Sequence, residues 1–126
     1  METRFDDSGQ VLFINFVGPT TVADLASGLA VCFERFAGST TRAVFDIRDM
    51  GVNFNIKDVA SLADTIHHTS AVGGRMAFVS GDQRFLSAIV NSVRSLRRSW
   101  KTEWRLFGSV DEATAWVTAS KDPVSA

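Results

Sequence analysis

RAVFDIRDMGVNFNIKDVA, residues 42–60, reads as a strand, a polar loop and the first turn of a helix. Ala43–Ile47 is a short apolar and aromatic run broken only by Asp46, a composition that suits a pleated, buried surface. Asp46, Arg48 and Asp49 close the strand. Asn55 stands where an N-cap belongs, because its side-chain oxygen accepts from the free N–H groups of a first helical turn. From Ile56 to His68, the residues Ile56, Val59, Leu62, Ala63 and Ile66 recur at helical spacing.

Toward the C-terminus, Gly73-Gly74 breaks the chain, and RMAFVS (75–80) reads as a strand with an almost wholly apolar centre. Such runs suit strands covered on both faces. Asp82 caps a third helix over about 83–99, whose inner face carries Leu86, Ile89, Val90, Val93, Leu96 and Trp100. EWRLFG (103–108) is the last strand. Ser109 with Glu112 forms a capping box for a final helix over about 110–119.

Toward the N-terminus, QVLFINFV (10–17) is a strand that forms a hairpin with residues 3–6 across the turn Asp7-Ser8-Gly9. Gly18-Pro19 is expected to stop that strand. Thr21 and Asp24 cap a helix running to Phe36, with Leu25, Leu29, Cys32, Phe33 and Phe36 on its buried stripe.

The order β-β-α-β-α-β-α-β-α predicts an α/β fold: a single-layer, mostly parallel β-sheet built by right-handed crossovers, with the first strand as an antiparallel edge. Residues 1–119 form one domain, and 120–126 a frayed tail.

Composition sets the outer limits. The chain has 126 residues, 45% hydrophobic and 21% charged, with a formal net charge of −1, which is the profile of an ordinary globular domain. The charge balance gives no ground for a nucleic-acid partner. The start METRFDDSG lacks the apolar run of a signal peptide, and no apolar stretch approaches the ~20 residues of a membrane helix. One cysteine, Cys32, precludes an intramolecular disulfide. A cytoplasmic location is expected.

Taken together, VLFINFVGPTTVADL, AVFDIRDM, RMAFVSGDQRFLSAI and WRLFGSVDEATAWV resemble, in order and spacing, the SpoIIAA-like branch of the STAS (anti-sigma-factor antagonist) superfamily. The likeness runs from about Val11 to Val117. It implies a SpoIIAA-like fold and a binding or regulatory module without catalysis of its own. In phosphorylatable relatives an Asp-Ser-Ser-Gly-like sequence opens the helix after the central strand. Here Asn53-Phe54-Asn55-Ile56 occupies that place and offers no hydroxyl.

In open α/β sheets ligands gather at the C-terminal strand ends. That rule groups Asp49, Asn53 and Asn55 with Ser80, Gly81, Asp82 and Gln83 as a ligand or partner loop; alternatively Asn55 and Asp82 serve only as helix caps. A basic cluster, Arg94, Arg97, Arg98, Lys101 and Arg105, faces a single nearby acid, Glu103. It reads either as a surface for an anionic partner such as lipid head groups, or as a solvated helix face whose arginine stems cover apolar edges. Trp100 on the inner stripe favours the second reading.

His67 and His68, adjacent on a helix, point about 100° apart and make a poor chelate, so no metal is expected. Cys32 lies on an apolar stripe and reads as core. There is no GxxxxGK[ST], GxGxxG or GxSxG, and no cofactor is expected. Asp46 and Asp49 are expected to face opposite sides or to pair with Arg48. The leading expectation is a non-catalytic regulatory or interaction module with a protein partner or a second copy as a homodimer. Anionic-lipid or small-ligand binding is the alternative, and an acid/base enzyme using Asp46, Asp49 or Asp82 is a further one.

Overall fold

Alternating side chains on β2 (Val11–Thr20) and β3 (Thr41–Val52) divide the interior in two. Leu12, Ile14 and Phe16 with Ala43, Phe45 and Ile47 point to one face, whereas Val11 and Val44 point to the other. Period-2 alternation is what a strand imposes, and here both faces are apolar, so both need cover. In the computed structural model of the chain, which describes residues 1–36, 40–52, 55, 57–58, 74–81 and 102–119, each face has a helix. The first face packs on α1 (Val22–Arg35) through Leu29 and Cys32, with Phe36 beyond the helix end. The second packs on α2 (Val110–Thr118) through Ala113 and Val117.

The sheet has five strands in spatial order β1-β2-β3-β4-β5, where β1 is Glu2–Asp6, β4 is Gly74–Val79 and β5 is Thr102–Phe107. β1 is antiparallel to β2, and the other three pairings are parallel. The sheet is therefore mixed rather than mostly parallel as expected from sequence; the antiparallel edge is the expected one, forced by the hairpin at Asp7–Gln10. The described order is β-β-α-β-β-β-α. The helices expected over 56–68 and 83–99 fall outside the described residues, apart from Lys57 and Asp58, which are helical.

A second correction concerns Gly18-Pro19. β2 does not stop there but continues to Thr20, with Pro19 opposite Gly51 of β3. β1 is paired only as far as Asn15. Beyond that point β2 has lost its outer neighbour, and an edge strand tolerates a residue without an N–H. Gly18 takes a φ of 77°, which glycine adopts without steric cost.

The helices are positioned by local chemistry. The Thr21 hydroxyl accepts from the Asp24 backbone N–H, and the Asp24 carboxylate accepts from the Thr21 N–H, so the expected capping box is complete. Ser109 likewise accepts from the Glu112 N–H, but the Glu112 carboxylate accepts from the Ser109 hydroxyl rather than its backbone N–H, so the second expected box is only half formed. Gly28 lets α1 lie close to the sheet: a Cβ there would stand 2.6 Å from Cζ of buried Phe16. Arg75 on β4 ties down the other end of α2, donating to the Trp116 carbonyl at 2.6 Å while its guanidinium lies 5.0 Å from the Trp116 ring.

Candidate functional site

β2 and β3 advance unequally at their C-terminal ends. Asn15 pairs with Asp46, but the next matched pair is Val17 with Asp49. Ile47 and Arg48 together therefore oppose Phe16, which is a β-bulge. Ile47 remains buried, and Arg48 turns outward. The extra residue's N–H needs an acceptor, and Asp46 supplies it: Oδ1 accepts from the Arg48 backbone N–H at 3.2 Å. The same carboxylate takes two side-chain bonds from the Arg48 guanidinium, at 2.9 and 2.7 Å. The Arg48 side-chain hydrogen bonds hold the Asp46 carboxyl below its ordinary range, against the opposing effect of partial burial. Asp46 in turn raises Arg48.

This clasp borders a groove of about 430 Å³ on the α2 side of the sheet. Phe13, Val44 and Val110 give it apolar walls, and Glu2, Arg4, Asn15 and Asp46 give it polar ones. The Arg4 guanidinium lies over the Phe13 ring, 4.2 Å from its centroid, a favourable cation–π placement. Asn15 Oδ1 is buried at the groove and has no hydrogen-bond partner among the described residues. An orphaned acceptor in the interior costs about 1–3 kcal/mol, a cost that Asn15 imposes on the strand. The groove combines opposite charges and apolar walls. That set suits contact with a polar partner. Among the groove's carboxylates, Asp46 is engaged by Arg48, which lowers its pKa, the opposite of what a proton donor needs.

Beyond the groove, Val17–Thr20 and Asp49–Val52 continue as a two-stranded parallel ribbon past the last paired residues of β1 and β4. Val17 is 61% exposed on it. Of the loop residues singled out from sequence, Asp49 is exposed on this ribbon. Asn55 is also exposed; its side chain accepts from the Lys57 N–H at 2.8 Å, as an N-cap does. Ser80 is buried just past β4, its backbone N–H donating to the Phe107 carbonyl. Asn53, Asp82 and Gln83 lie outside the described residues, as do His67, His68, Arg94, Arg97, Arg98 and Lys101. Arg105 is exposed, and its guanidinium carbon lies 6.0 Å from the centroids of the Phe107 and Trp116 rings. Cys32 is fully buried, and burial pushes its thiol up to about 12.

Sequence reasoning missed Glu2, Arg4, Phe13, Asn15 and Val110 as a group, because the β1–β2 hairpin and a helix far along the chain bring them together. The one local signal was Asn15, an amide in the middle of an otherwise apolar strand.

A scan against protein-family models finds no match, and a search of curated proteins also finds none. Among solved structures, the chain is similar to the crystal structure of an uncharacterized protein from the DUF3478 family with a SpoIIAA-like fold, from Shewanella loihica PV-4. The identity is 16% and the TM-score 0.59, over 92% of this chain and 90% of that one. The fold is therefore SpoIIAA-like, as the sequence resemblance implied. No helix among the described residues is long and apolar enough to cross a membrane.

Proposed function

We propose that the protein is a non-catalytic interaction module of the SpoIIAA-like type, working without a phosphorylatable serine at its helix start. Its contact region is the groove beside Asp46 together with the ribbon that ends in Asp49–Val52. The observation that carries this reading is the Asp46–Arg48 clasp. It holds the carboxylate at the β3 bulge ionised and bonded, so the site offers charges and apolar walls for contact but no poised proton donor. The opposite charges of Glu2 and Arg4 beside apolar Phe13 and Val110 support a polypeptide partner.

Site-specific photocrosslinking in the cells that make the protein tests this. A photoreactive residue at Val17 or Asn15 is expected to trap one defined protein partner. The same residue at Val31, on α1 and away from the groove, is expected not to trap it. Asp49→Arg is expected to reduce the yield at least fivefold. Equal trapping from Val31, or no trapping from either groove position, would overturn the reading. So would turnover of a substrate that Asp46→Asn abolishes.

A further inference from the structure

β1 is the edge of the sheet, and its outer side carries no strand among the described residues. Glu2, Thr3 and Arg4 are exposed along it. Neither Glu2 nor Arg4 has an ion-pair partner among the described residues, although Arg4 is already pre-placed over Phe13. Open edges invite pairing with another chain, and proteins blunt them with charges. The charges on β1 do something more selective.

Consider a second copy added antiparallel to β1 by a two-fold axis normal to the sheet, so that equivalent faces stay on the same side. The axis must then pass through a residue, because opposed side chains share a face. An axis through Arg4 would set Arg4 against Arg4 and Glu2 against Asp6, all like charges. An axis through Phe5 would run the pairing into the turn at Asp7 and demand Asp6, whose carboxylate already accepts from the Ser8 hydroxyl and N–H. An axis through Thr3 sets Glu2 against Arg4 of the second copy, twice, Thr3 against Thr3, and exposed Met1 against Phe5. Opposite charges directly across a ladder stabilise it, and like charges destabilise it.

We propose that the partner is a second copy of this chain, joined through β1 in the Thr3-centred antiparallel register into a continuous sheet. The interface is isologous, each Glu2 meeting the other copy's Arg4. Both residues line the groove, so the pairing sets two grooves side by side across the axis. Five residues a side is well under the ~20–30 of a standard interface, so the dimer is weak and depends on concentration. The inference rests on the reading of the chain as an interaction module and names its partner.

Native mass spectrometry and light scattering of the full chain at rising concentration test it, using charge reversal. The parent chain is expected to shift from one mass to its double. Glu2→Arg carries arginine at both positions and Arg4→Glu carries acid at both, so each alone is expected to stay monomeric. Their equimolar mixture is expected to form a heterodimer, which also shows that both variants are folded. Thr3→Cys is expected to give a disulfide-linked dimer under mild oxidation, because opposed Cβ atoms lie ~4.5–5.5 Å apart, and buried Cys32 does not compete. A parent that is monomeric at every concentration would overturn the inference. So would charge variants that associate as the parent does, or a mixture that forms no heterodimer. Groove crosslinking to a different protein alongside a monomeric parent would remove this inference and leave the interaction reading standing.

Discussion

Arg48 clasps Asp46 from two residues further along the same strand, with two guanidinium bonds and one backbone bond to a single carboxylate. The arrangement exists because the bulge leaves the Arg48 N–H without a ladder partner. Asp46 thus serves as a cap for an irregular strand, and the bulge turns the rest of β3 into the ribbon that carries Asp49.

Asp46→Asn keeps an acceptor for the backbone N–H but loses the charge-assisted fork. Arg48 is about half exposed, so solvent screens the pair, and urea unfolding is expected to show a loss of about 0.5–1 kcal/mol with an unchanged m-value. The pH dependence follows from the direction of the shift. Asp46 is lowered from 3.8, so its contribution is complete above that value and is lost as pH falls through the lower folded value. The gap between parent and variant is expected to be full at neutral pH and to close below 3.8. A gap that is constant across the acid range would contradict this.

Asn15→Leu removes the orphaned acceptor and fills the space with carbon. Replacing an unsatisfied buried polar group by an apolar one of similar shape is neutral or stabilising, and a gain of about 1 kcal/mol is expected in thermal or urea melts. The same variant is expected to lose groove crosslinking. A variant that is less stable by more than about 1 kcal/mol would show that Asn15 is structural.

Gly74 pairs with Thr41 at the start of β4, with a φ of 143°. A Cβ there would come within 2.2 Å of the Thr41 carbonyl oxygen. This is backbone against backbone, with no side chain to move aside. Gly74→Ala is expected to cost about 3 kcal/mol or more, read as lost soluble yield or an early melt. Gly73→Ala beside it serves as the comparison.

Cys32 is buried, and its thiol is shifted far above physiological pH by burial alone. Thiol titration with a disulfide reagent at pH 8 is expected to show no reaction in the native protein and full reaction in urea. Cys32→Ser is expected to destabilise by about 1–3 kcal/mol by placing a hydroxyl among Leu29 and Phe36, whereas Cys32→Ala is expected to cost less.

Removing the hydroxyl at either helix start tests the caps. Thr21→Ala and Ser109→Ala are each expected to lower stability by about 1 kcal/mol. A melt unchanged by Thr21→Ala would mean that Asp24 alone holds the α1 terminus.

Local signals were legible wherever the chain's own neighbours decide the outcome. Alternating apolar runs placed β2 to β5, helical spacing placed α1 and α2, and Thr21 and Ser109 marked their starts, because strand and helix periods and caps are satisfied within a few residues. Cys32 read correctly as core for the same reason. Where the outcome depended on a neighbour brought from elsewhere in the chain, local reading failed. Gly18-Pro19 looked like a stop, yet the strand passes through it because β1 has already ended and β3 runs alongside. Gly28 gave no sign that Phe16 lies beneath it. The bulge at Ile47–Arg48 is a mismatch between two strands and has no counterpart in either alone. By itself, then, the sequence determined the described strands and helices, the Thr21 and Ser109 helix starts and the resemblance to a SpoIIAA-like fold. Only the tertiary structure decided the β-bulge opposite Phe16, the passage of β2 through Pro19 and the groove that joins Glu2, Arg4 and Asn15 to Val110, because each is a relation between segments that the chain brings together only by folding.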